Sequence, residues 1–94
     1  MNDRDPQHLR IALIEATQAE AGRLMDAAHH PTMKRQIKLA LAELRDAFVR
    51  LHRDLDQGAG MLELVDLSIN LATMRLKKVE RALQIQGPGA TLED

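Results

Sequence analysis

The sequence predicts an all-α fold, an antiparallel helical hairpin with a third, N-terminal helix packed across it in a small bundle. Two observations point there. Apolar residues recur at alternating spacings of 3 and 4 through two long stretches, the period of a helix face rather than of a strand. The strongest breakers, Pro31 and the Gly58-Ala59-Gly60 triplet, fall between the periodic stretches and not inside them. At 94 residues the length allows one domain, expected over 1–86, in a size range where a single core is barely sufficient.

The first helix, α1, is expected over about 6–29. Asp5 is placed to cap it and Pro6 to occupy its first position, where a missing N–H costs nothing. Its stripe is the least regular: Leu9, Leu13, Leu24 and Ala28 align, while Ile14, Ala21 and Met25 widen the face. The many alanines of this segment permit close helix approach.

Pro31 pushes His30 out of the helical region, so the chain bends there and either His30 or Thr32 caps the second helix, α2, expected over about 32–57. Ile37, Leu41, Leu44, Phe48, Leu51 and Leu55 form its heptad seam. Gly58 stands where a left-handed residue closes a helix, and Gly60 lets the chain reverse.

The third helix, α3, expected over about 61–85, repeats the device with Leu62, Val65, Ile69, Ala72, Leu76, Val79 and Leu83. Residues 65–71 also alternate apolar and polar, which suits a half-buried strand. The helical reading wins because no partner strand exists in the sequence and the 3–4 period continues through good helix formers to Leu83. Gly87-Pro88-Gly89 then opens a tail, 87–94, that composition assigns to disorder.

Composition removes several functional classes. Lys plus Arg number 13 against 14 Asp plus Glu, so no global charge draws the protein to nucleic acid or membrane. Without Cys there is no disulfide framework, thiolate nucleophile or cysteine zinc site. Phe48 is the only aromatic residue, so there is no platform for stacking bases. The polar N-terminus does not read as a signal peptide, no apolar run is long enough for a bilayer, and the expected compartment is the cytoplasm. No phosphate loop or nucleophile elbow is present, and Ser68, the only serine, is mid-helix; the expectation is a protein that is not an enzyme and needs no cofactor. His29 and His30 diverge on a helix and lack a spaced partner, so no metal site is expected.

Two surface features remain. Leu64, Leu67, Leu71 and Met74 form a second apolar stripe on α3, opposite its seam. Either α1 lies across this stripe or it is an interface with another chain, and a domain this small, with no disulfide or metal, gains most from the second. The other feature is basic. Lys34, Lys38, Arg45 and His52 fall on one flank of α2 with Arg35 and Arg53 beside them, and no carboxylate stands at helical spacing from Lys38 or Arg45. Lys34, Arg35, Lys38 and Arg45 are the candidates for binding an anion or an acidic partner; the alternative is a solvated face paired with Glu15, Glu20 or Asp26 of α1. The reading that follows is a small interaction module, homodimeric, that binds and modulates a larger partner protein. A nucleic-acid-binding dimer using the α2 flank is the alternative.

Overall fold

The structure, a computed structural model, describes residues 6–57, 60 and 62–92. Its helices are α1 (Pro6–Ala27), α2 (Pro31–Gln57) and α3 (Leu62–Gln86), and no strand occurs among the described residues. α2 and α3 form the closest pair, and α1 packs on both. Arg10 reaches Asp66 at one end of the bundle, and the His29 N–H donates to the Pro88 carbonyl (3.1 Å) at the other. α1 therefore runs parallel to α3, and α2 runs antiparallel to both. The result is a rod of 44 × 26 × 16 Å.

Local chemistry sets the ends. α1 stops at Ala27, short of the expected residue 29, because the His29 N–H leaves the helical ladder for Pro88. His30 is the cap of α2: its carbonyl accepts the Lys34 N–H (3.2 Å) and its Nδ1 accepts the Thr32 N–H (3.2 Å). Pro31 then occupies the first helical position. At the far end of α3, Gly87 adopts φ +84° and its N–H donates to the Leu83 carbonyl (2.8 Å), a left-handed cap that favours glycine. Gly60 has φ +65° in the α2–α3 connection. Asp5 and Gly58, the other expected caps, lie outside the described residues.

Ile14, Met33, Ile37, Leu44, Leu51, Val65, Ile69 and Val79 are the largest wholly buried side chains. On α3 the expected seam is the buried stripe, with Leu62 and Leu83 partly buried at its ends, and residues 65–71 are helical. On α2 the buried stripe is Met33, Ile37, Ala40, Leu44, Ala47 and Leu51. It is rotated from the expected seam: Leu41 is partly buried, and Phe48 and Leu55 are exposed. With helices on two sides, the inward face of α2 points between its neighbours, and Ala40 and Ala47 let the backbones approach. On α1, Ile14, Ala21 and Leu24 are buried, as is Ala28 just beyond its end, whereas Leu9 and Leu13 are exposed.

The segment that composition assigns to disorder is placed against the bundle over its described part. Residues 87–92 fold back: the Ala90 N–H donates to Gly87 (3.0 Å), Ala90 is wholly buried and Leu92 packs on the core. The Leu92 N–H reaches the Thr32 hydroxyl (3.5 Å), so this segment covers the turn between α1 and α2. Residues 93 and 94 lie outside the described residues.

Polar links join the helices. Arg10 donates from both Nε (2.6 Å) and a terminal nitrogen (2.8 Å) to the two oxygens of Asp66, a bidentate pair between α1 and α3. Arg75 of α3 donates to Glu43 and Gln36 of α2, both at 3.0 Å. Arg50 of α2 donates to the buried Ser68 hydroxyl (3.2 Å), which accounts for the only serine lying inside α3.

Candidate interaction surface

The position of α1 decides what stays uncovered. It lies along the side of α3 that carries Asp66, Thr73, Lys77 and Glu80. The Leu64, Leu67, Leu71 and Met74 stripe lies away from α1 and at the outer border of α2, with exposures of 47, 54, 42 and 57%. Three helices in a bundle each turn one stripe inward, and α3 has two. Beside the stripe, Leu71, Met74, Arg75 and Lys78 join Gln36 of α2 to form an open groove of about 220 Å³.

Both ends of the stripe are charged, with opposite signs. Glu63 precedes it in the first turn of α3, and Lys77, Lys78 and Arg81 follow it. All four are exposed and none forms an ion pair among the described residues.

The basic flank of α2 is exposed as well. Lys34, Lys38 and Arg45 have no ion pair or side-chain hydrogen bond among the described residues; Arg35 is exposed beside them but has an interaction partner. The proposed pairing with α1 does not form at Glu20, which binds Arg23 of its own helix. Phe48, 39% exposed, borders the flank and packs edge-on against His52 with ring centroids 4.4 Å apart. Together with Leu41, Val49 and Leu55 it gives the cations an apolar edge; of these, Leu41, Phe48 and Leu55 were placed inside by the seam assignment in the sequence.

The N-terminus of α2 is less open to an anion than the sequence suggests. The Thr32 N–H is taken by His30, and Thr32 Oγ1 lies 2.8 Å from the same imidazole nitrogen while accepting from Leu92. Starting the helix at Pro31 also puts Lys34 at the end of the first turn and Arg35 beyond it, where the positive end of the helix dipole disfavours a cation less than at the first positions.

An open pocket of about 310 Å³ lies between α1 and α3 and is lined by Thr17, Glu20, Thr73, Lys77 and Glu80 among others. Both threonine hydroxyls donate to carbonyls of their own helices, Leu13 and Ile69, and Glu20 is held by Arg23. At the end of this side, the hydrogen bond from Arg10 holds the Asp66 carboxyl below the usual carboxylate range against the opposing effect of burial. The same bond raises Arg10, and the charges of Asp66 and Asp54 add to it. This pair ties α1 to α3, and with Leu9 and Leu13 it borders an open pocket of about 280 Å³. No group of three His, Asp or Glu side chains suited to a metal occurs among the described residues.

These features define a small three-helix all-α bundle, none of whose described helices is long and apolar enough to cross a membrane. Compared with protein families, curated proteins and solved structures, the chain finds no match.

Proposed function

We propose that this protein is a small non-enzymatic interaction module that acts as a homodimer and binds and modulates a larger partner protein. The observation that carries the reading is the α3 stripe: four large apolar side chains in a row stay about half exposed after α1 has packed. Contiguous apolar surface of this kind marks contact sites in small proteins. In this reading the stripe joins two copies, and the flank of Lys34, Lys38 and Arg45 on α2 meets the partner. The unpaired cations favour an acidic partner surface, and the apolar edge of Leu41, Phe48 and Val49 favours a protein over a bare phosphate backbone.

Light scattering across a concentration series tests the reading, with Leu71→Glu as the control. The expected result is a dimer that Leu71→Glu converts to a monomer with its helical circular dichroism retained. A wild-type chain that stays monomeric at every concentration removes the homodimer. Loss of helicity in Leu71→Glu shows instead that the stripe is core.

A further inference from the structure

We infer that two copies pair antiparallel through the outer face of α3, about a twofold axis level with Ile69. Each Leu64 then meets the partner's Met74, and each Leu67 meets the partner's Leu71. This rests on the reading of that face as the dimer contact and adds its geometry.

The stripe allows the arrangement and the charges select it. Leu64, Leu67, Leu71 and Met74 are spaced 3, 4, 3, so the row reads the same from either end and a helix turned end for end offers its own complement. A parallel pair would match the apolar rows equally well. It would also place Lys78 and Arg81, which continue the row by one heptad, against the same residues of the partner. Turning one copy round brings Glu63 within one helical turn, about 5 Å along the axis, of the partner's Lys77 and the partner's Lys78. These groups have no ion pair within the described chain. Antiparallel packing also sets the opposed ends of the two α3 dipoles beside each other.

The groove supports the same register. Leu71, Met74, Arg75 and Lys78 with Gln36 enclose about 220 Å³ at the level of Met74, which is where the antiparallel pair delivers the partner's Leu64. Twofold symmetry fills both grooves at once. The basic flank of α2 does not suit self-association in this way, because a twofold there sets Lys34, Lys38 and Arg45 against their own kind. A contact of one helix face falls at the low end of specific interfaces, below about 1,200 Å² in total, so the dimer is expected to dissociate on dilution.

The chain contains no cysteine, so introduced thiols report proximity without background. Leu64→Cys and Met74→Cys are prepared separately and checked for helicity. Each is oxidised with diamide, alone and as an equal mixture, at a concentration where light scattering reports the wild-type dimer. Antiparallel pairing predicts a covalent heterodimer in the mixture, identified by mass, and little product from either variant alone. The two copies of one residue lie about 15 Å apart along the axis in this geometry, whereas a disulfide needs Cβ atoms about 4 Å apart. Strong cross-linking of each variant with itself overturns the antiparallel register and leaves dimerisation through this face standing. No cross-linking in any of the three samples, with the wild type dimeric, overturns both the register and the use of this face.

Discussion

The rotation of α2 away from its expected seam is open to a direct test by paired substitutions at Phe48 and Ala47. Were Phe48 a core residue, Phe48→Ala would cost about 3–5 kcal/mol, transfer and cavity effects together. In the structure Phe48 keeps 39% of its surface in water and borders solvent, so only part of the transfer effect is lost and no closed cavity forms. The expected cost is about 1–2 kcal/mol. Ala47 is wholly buried, and Ala47→Leu forces a larger side chain between packed helices at about 1–3 kcal/mol. The assay is urea unfolding followed by helical circular dichroism. With a slope near 1 kcal/mol/M for a chain of this size, Phe48→Ala lowers the midpoint by about 1–2 M and Ala47→Leu by about 1–3 M. A loss above about 3 kcal/mol for Phe48→Ala, with Ala47→Leu neutral, would refute the rotation. It would also move the basic flank, since Arg45 stands one helical turn before Phe48 and would swing toward α1 with it.

The Arg10–Asp66 pair predicts an acid limb. The folded carboxyl lies below its usual range, so its contribution is present above the unfolded-state value and disappears as the pH falls through the folded one. Asp66→Asn is therefore less stable at neutral pH by up to about 1 kcal/mol, with a gap that closes in acid and shrinks in high salt because the Asp66 side chain is about half exposed. A gap independent of pH would contradict the pairing. His30→Ala should cost about 1 kcal/mol as a lost cap and speed amide exchange at Thr32 and Leu92, while His30→Asn keeps most of the stability; unchanged exchange in His30→Ala would mean that the imidazole does not cap α2.

What the sequence makes legible follows from how local each determinant is. Helix positions rest on periodicity and on breakers such as Pro31, so the three helices can be read directly, and the helical reading of 65–71 holds against the strand alternative. The face that α2 turns inward is not local. A hairpin alone would favour the large residues Leu41, Phe48 and Leu55 at its seam, but a third helix adds a second neighbour, and the inward direction moves to Ala40 and Ala47. The segment 87–92 looks disordered by composition because its order comes from distant partners, His29 and Thr32, reached only after Gly87 reverses the chain. The α3 stripe is legible as a second apolar face, yet its fate depends on α1, whose own pattern is too irregular to orient. Once Ile14, Ala21 and Leu24 bury the inner face of α1, that helix sits beside Thr73 and Leu76 and cannot also reach Leu67 or Met74 on the far side of α3. The apolar surface left there stays about half exposed, and the opposite charges at its two ends are what the proposed antiparallel pairing would use.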